Sequence, residues 1–353
     1  MDKLKIAITH GDISGIGYKC IFDAFETSDM LELCIPIVYG SPKAAAYHIN
    51  YLSSAAEFTI IQQAAEAHES KLNLLAAFDE EIKIHIGKPN ADSARAGLFA
   101  LNRALDDYKD NAYHALVTMP AEQALMHTLD SAYINETEYI ARHICKEEGT
   151  GELQAAPLYI TDMMKVALLS QSNSLNDIAA DVTKDNIKAK VELLLKTLHR
   201  DFCISNPRIA VLAVNSDFGT IENEIVMPAI KELSEKGVPC FGPYLADKYF
   251  GEFQFDKFDA TLAIYYNQAI PQMAMADRMV KILTMGLPLV HCTCMNNKYA
   301  NLNSLIYLAK DVWRNRKNYD EACAKPLPKL YHEYKEGEER RPPRFSPLDF
   351  LTQ

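Results

Sequence analysis

"IAITHGDISGIG" (residues 6–17) carries an apolar, β-branched strand pattern straight into a turn holding Gly11, Gly15 and Gly17, and a helical stretch follows. A strand that passes through a glycine turn into a helix is the opening unit of an α/β protein, and a helix start can present backbone N–H groups to an anion. The stretch is not a Walker loop, because no Gly-Lys-Ser/Thr follows, and its glycines lack the G-x-G-x-x-G spacing of a dinucleotide fingerprint. The three glycines are therefore read as turn residues, whether or not an anion binds there.

Outward from this unit, short apolar runs recur: "IPIVYG" (35–40), "FTIIQ" (58–62), "IKIHIG" (82–87), "HALVTMP" (114–120), "KVALLS" (165–170), "RIAVLAV" (208–214), "ATLAIYY" (260–266) and "LPLVHC" (287–292). Such uninterrupted runs suit strands buried on both faces of a mainly parallel sheet. Amphipathic helices are predicted between them at 93–110, 185–202 and 301–319. The fold class read from this alternation is layered α/β with right-handed crossovers.

The 353 residues are 48% hydrophobic and 24% charged, which is the balance of a folded globular chain. A formal net charge of −11 argues against a nucleic-acid or anionic-membrane partner. No apolar run is long enough to cross a bilayer, so the cytoplasm is the expected location. The 8 cysteines are scattered through apolar segments and read as reduced core thiols. His291-Cys292-Thr293-Cys294 has metal-ligand residue types but no second ligand pair, and reads as a strand end. From Ala324 to Gln353 prolines and mixed charges replace periodic apolar residues, so a mobile tail is expected, with docking of a protein partner as the alternative.

The wider wording "IAITHGDISGIGYKCI" resembles the opening of the 4-hydroxythreonine-4-phosphate dehydrogenase (PdxA) family, a strand followed by GD-x-x-GI. Collinear matches follow at "PIVYGS" (36–41), "ALVTMPAEQAL" (115–125), "NETEYIA" (135–141), "PRIAVLAVN" (207–215) and "MGLPLV" (285–290). The resemblance implies two α/β/α subdomains around a cleft, related to the isocitrate and isopropylmalate dehydrogenase fold. It places the first subdomain at 1–130 plus 286–323 and the second, with the dimer contacts, at 131–285. A homodimer with the active site near the subunit interface is implied as well.

Members of that family use NAD and a divalent metal held by three histidines to oxidise, with loss of carbon dioxide, a phosphorylated hydroxy-amino acid. Each ligand position differs here. The family's T-T-H-[IL]-P-L is "SQSNSL", placing Ser172 at the first ligand. Its N-P-H-A-G is "NSDFG", placing Asp217 at the second, and its Y-H-D-Q-G is "YYNQA", placing Tyr266 at the third and Asn267 beside it. A serine hydroxyl and a phenol are poor ligands for a divalent ion at neutral pH.

The groups that hold substrate in the family change too. Its T-A-P-[IL]-x-K is "TMPAEQ", with Gln123 for the lysine, and its G-H-T-E is "NETE", with Glu136 for the histidine while Thr137 and Glu138 persist. "MAM" (273–275) stands where the family has a lysine, His291 where it has an arginine, and the D-H-G-T-A-x-D-x-A-G loop bordering the cofactor is shortened to "CMNNKYAN" (294–301). The expectation is a catalytically inactive or strongly altered homologue, acting as a binding or regulatory subunit with an active paralogue or other protein partner. No metal or NAD is expected in that case. Two alternatives stand beside it: an NAD-dependent dehydrogenase with altered metal or substrate use, and a small-molecule sensor. Asp217, Glu136 and Glu138 are the candidates for an oxygen-rich magnesium site.

Overall fold

A computed structural model describes residues 3–145, 154–295 and 297–325. Twelve strands form one sheet: β1 (Leu4–Thr9), β2 (Cys34–Gly40), β3 (Phe58–Ile61), β4 (Leu72–Ala76), β5 (Ala115–Thr118), β6 (Ala156–Ile160), β7 (Lys165–Leu168), β8 (Ile209–Leu212), β9 (Cys240–Tyr244), β10 (Ala260–Ala263), β11 (Lys281–Met285) and β12 (Val290–Cys294). Their spatial order is β3-β4-β2-β1-β5-β12-β11-β6-β7-β10-β8-β9. The first six strands in this order run parallel, and so do the last four. Between the two blocks, β11 is antiparallel to both β12 and β6, and β6 is antiparallel to β7. The two parallel blocks therefore point in opposite directions.

The mainly parallel expectation holds within each block and gives way at this join. The run 82–87 is not a strand. Ile82 and Ile84 pack on the core, while the backbone N–H groups of His85 and Gly87 bond to the hydroxyl and carbonyl of Ser14 at 3.3 and 2.8 Å. The alternating isoleucines thus bury one face of a segment that covers the opening loop. The expected helices fall at Ala91–Lys109, Lys184–Phe202 and Leu302–Ala324. The last of these extends into the start of the expected tail, and residues 326–353 lie outside the described residues.

Strand alternation sorts the interior into layers. Leu158, Leu283 and Cys292 of the central strands join a cluster continuous across both blocks, covered by helices Gly17–Phe25, Lys184–Phe202 and Leu302–Ala324. On the opposite face the apolar packing divides. Helices Ala91–Lys109 and Glu136–Cys145 cover the first block, while Ala246–Gly251 and Tyr266–Ala276 cover the second. Pro157, Tyr159, Ile282 and Thr293 of the antiparallel centre face the gap between these layers, and a cleft opens there.

Arg316 fastens the last helix to the rest. Its guanidinium makes a bidentate pair with Asp201 at 2.7 and 2.8 Å and donates to the carbonyls of Leu287 and Pro288 at 3.0 and 2.9 Å, all largely buried. Every donor direction of the fork that points inward thereby meets an oxygen.

Candidate functional site

The glycine turn is not an anion cradle. Residues 10–14 are buried, and a Cβ on Gly11, whose φ is +66°, would overlap the carbonyl oxygens of Met119 and Pro120. A Cβ on Gly17 would overlap the carbonyl oxygen of His10. These glycines let the loop press against its neighbours, as the turn reading holds.

The site lies instead in the cleft, a cavity of about 600 Å³ lined by residues of both blocks, within the size range of small-molecule pockets. Gln123 at the start of helix Gln123–Leu129, Glu136 and Thr137 at the start of helix Glu136–Cys145, Ser172 after β7, and Tyr266 at the start of helix Tyr266–Ala276 all line it. Asp217 and Asn267 are exposed and do not line it, and His291 lies buried behind its wall.

Glu136 is partly exposed as a residue, but its carboxyl end is enclosed and meets the hydroxyls of Thr118 and Thr293. Burial pushes that carboxyl up to about 7, against the opposing effect of the two hydroxyls. The Thr293 hydroxyl donates its one proton to the carbonyl of Thr118 at 2.9 Å, so toward Glu136 it is left as an acceptor, which suits a carboxylic acid better than a carboxylate.

Behind Thr118 the chain of contacts continues. Its hydroxyl lies 3.0 Å from Nε2 of His291, and the Thr284 hydroxyl lies 2.8 Å from Nδ1. Burial pushes the imidazole down to about 3, so it is neutral, with one nitrogen donating and the other accepting. Thr118 has one proton for two neighbours, and the His291 tautomer is tied to which of them it serves. The positions that the resemblance aligns with a histidine and an arginine thus hold a carboxyl group raised to about 7 and a neutral imidazole, joined through Thr118.

The sequence reading passed over Thr118, Thr284 and Thr293 because threonine is an ordinary strand former. The usable signal was alternation: in β12, His291 and Thr293 share one face while Cys292 and Cys294 share the other. The same alternation keeps the His-Cys-Thr-Cys cluster from converging on a metal.

The residues that the resemblance places at the ligand positions do not fit a divalent ion. The Ser172 hydroxyl accepts from the Ser174 N–H at 3.0 Å and faces Asp177 at 3.4 Å. The Tyr266 phenol, raised by burial, sits 3.3 Å from the Met295 sulfur. Asp217 accepts from the N–H of Phe218 at 2.9 Å on an exposed loop. That loop is tied back by Glu222, whose carboxylate accepts from the N–H groups of Val214, Asn215 and Gly219 at 3.0, 2.9 and 2.8 Å.

The oxygen-rich alternative is not assembled either. Glu138 is paired with Arg142 and lines a different groove from Glu136. Among the described residues no three His, Cys, Asp or Glu side chains are grouped to hold a metal ion, and no helix is long and apolar enough to cross a membrane.

Two parallel α/β blocks joined through antiparallel strands, with a polar cleft at the join, define a dehydrogenase-like α/β protein. Residues 32–295 match the family model described as pyridoxal phosphate biosynthetic protein PdxA, and the chain belongs to this family. It is 36% identical to a 4-hydroxythreonine-4-phosphate dehydrogenase of Bacteroides thetaiotaomicron, over 96% of this chain and 97% of that one. A second relative of the same name, from Sulfurihydrogenibium sp., is 28% identical over 81% of this chain and 88% of its own length. The crystal structure of a 4-hydroxythreonine-4-phosphate dehydrogenase from Klebsiella pneumoniae shares the fold, with a TM-score of 0.71 at 23% identity over 88% of this chain and 98% of that one.

Proposed function

We propose that this PdxA-family protein binds a small molecule in the cleft and does not carry out metal-assisted oxidation of it. The observation that carries this reading is the donor set: a hydroxyl, a phenol and an exposed carboxylate at the three ligand positions, none of them free to form a tight divalent site. The scaffold that surrounds the cleft is retained while the Lewis acid that would polarise an alcohol oxygen has no holder. A regulatory role follows if the bound molecule or the protein itself acts on an active relative.

A second reading is favoured by a different observation. Identity of 36% across nearly the whole chain to a protein named as a dehydrogenase supports an NAD-dependent oxidoreductase with other metal or substrate requirements. One assay separates the two. Purified protein is given 4-hydroxythreonine-4-phosphate, NAD and, in turn, magnesium, manganese, cobalt or zinc. NAD reduction at the enzyme-free rate is the expected result. Turnover that rises with protein concentration overturns the first reading and establishes the second.

A further inference from the structure

We propose that the cleft takes an uncharged, hydroxyl-rich small molecule, of the size of a polyol or simple sugar, and rejects its phosphate esters. The inference rests on the cleft being the binding site, as in the reading above.

Its first support is the chemistry of the wall. Gln123, Asn135, Gln171 and Asn173 contribute amides, and Thr137 and Ser172 contribute hydroxyls, each able to donate and accept. Among the described residues lining the cleft there is no lysine, arginine or histidine. A phosphate dianion brought into such a space would lose water without gaining a cation, which is costly. A polyol offers alternating donors and acceptors that amides and hydroxyls satisfy without charge.

The second support is Glu136. Thr293 gives its proton to a backbone carbonyl, and burial raises the enclosed Glu136 carboxyl to about 7, so below that pH the carboxylic acid form stands at this end of the cleft. In that form Glu136 adds one more donor and one more acceptor to the wall. Above about pH 7 it becomes a carboxylate, and the donor is lost. Two titratable groups close to it, Tyr133 and His291, do not change charge in that range. Tyr133, on the turn before its helix, is pushed up by burial, and His291, reached through Thr118, is pushed down to about 3. Cys294 of β12 lines the same cleft.

The test is titration calorimetry on the whole chain, without NAD or metal, using erythritol, ribitol and D-glucose, each paired with its monophosphate ester. At least one unphosphorylated compound is expected to bind at millimolar concentration or below, about tenfold or more tighter than its ester. Its affinity should fall as pH rises through 7. Glu136→Gln, which cannot titrate and keeps a donor and an acceptor in the same place at every pH, should remove the pH dependence of binding.

An ester that binds tighter than its parent overturns the inference, and so does the absence of binding by all six compounds. A pH dependence unchanged in Glu136→Gln overturns the part assigned to that residue. Failure here leaves the absence of metal-assisted oxidation untouched, since that reading stands or falls on the separate NAD-reduction assay with added metals.

Discussion

The imidazole of His291 stands 3.0 Å from the Thr118 hydroxyl, fully enclosed, and through that hydroxyl it meets the carboxyl group of Glu136 at the cleft. A buried ring satisfied at both nitrogens holds two strands of the join together, since Thr118 ends β5 and Thr284 lies on β11. His291→Ala would leave both threonine hydroxyls short of a partner and open a cavity. A loss of about 2–4 kcal/mol in unfolding free energy is expected. Urea denaturation measures it, and a loss below the error of that measurement would show that the ring is not holding the join.

The glycines of the opening loop give a matched pair. Gly17 faces the His10 carbonyl at a separation no Cβ tolerates, whereas a Cβ on Gly15 would meet the Asp12 carbonyl oxygen at 3.1 Å, tight but adjustable. Gly17→Ala is expected to destabilise by more than about 2 kcal/mol, and Gly15→Ala by less than about 1 kcal/mol. Equal effects in thermal unfolding would contradict the close approach.

Arg316 and Asp201 form a bidentate pair that is almost wholly buried, with relative side-chain exposures of 7% and 2%. Removing one partner strands the other charge in the interior. Arg316→Ala should therefore cost about 3–5 kcal/mol, and Arg316→Leu with Asp201→Leu together should cost less than Arg316→Ala alone. Stability curves of the single and double variants decide it.

The fold was legible from residues 6–17 and the recurring apolar runs because buried parallel strands need continuous apolar sequence. The central strands were not. "APLYI" in β6 and "KILTM" in β11 are short and lack a continuous run of β-branched apolar residues, and β9 carries Gly242 and Pro243 at the sheet edge. At the site, comparison with family motifs drew attention to Glu136, Gln123, Ser172 and Tyr266, which the chain does bring to one cleft. It also nominated Asp217, which sits on the exposed loop that Glu222 ties down. The Thr118–His291–Thr284 contacts depend on antiparallel pairing between β11 and β12, a register that no local pattern in the sequence encodes.

Glu136 should make stability fall as the solution becomes more alkaline. Its carboxyl takes up a proton near pH 7 in the folded chain and near the ordinary value of 4.5 in the unfolded one. Between these values the folded state binds more protons than the unfolded state, so raising the pH draws the equilibrium toward unfolding. The shift is equivalent to about 3 kcal/mol at most, and partial exposure of the residue lowers the expected effect to roughly 1–2 kcal/mol above pH 7. His291 acts in the opposite sense at lower pH. Its neutral form is favoured by folding, and the stability it brings is present above about pH 6.5 and lost as pH falls toward 3. Glu136→Gln removes the first effect alone. The variant should match the parent near pH 4.5 and be more stable than it at pH 8, while both lose stability in acid as His291 is forced to charge. Urea midpoints from pH 4 to 9 provide the measurement. A variant whose stability runs parallel to the parent's over that whole range would show that Glu136 titrates as an ordinary surface carboxylate.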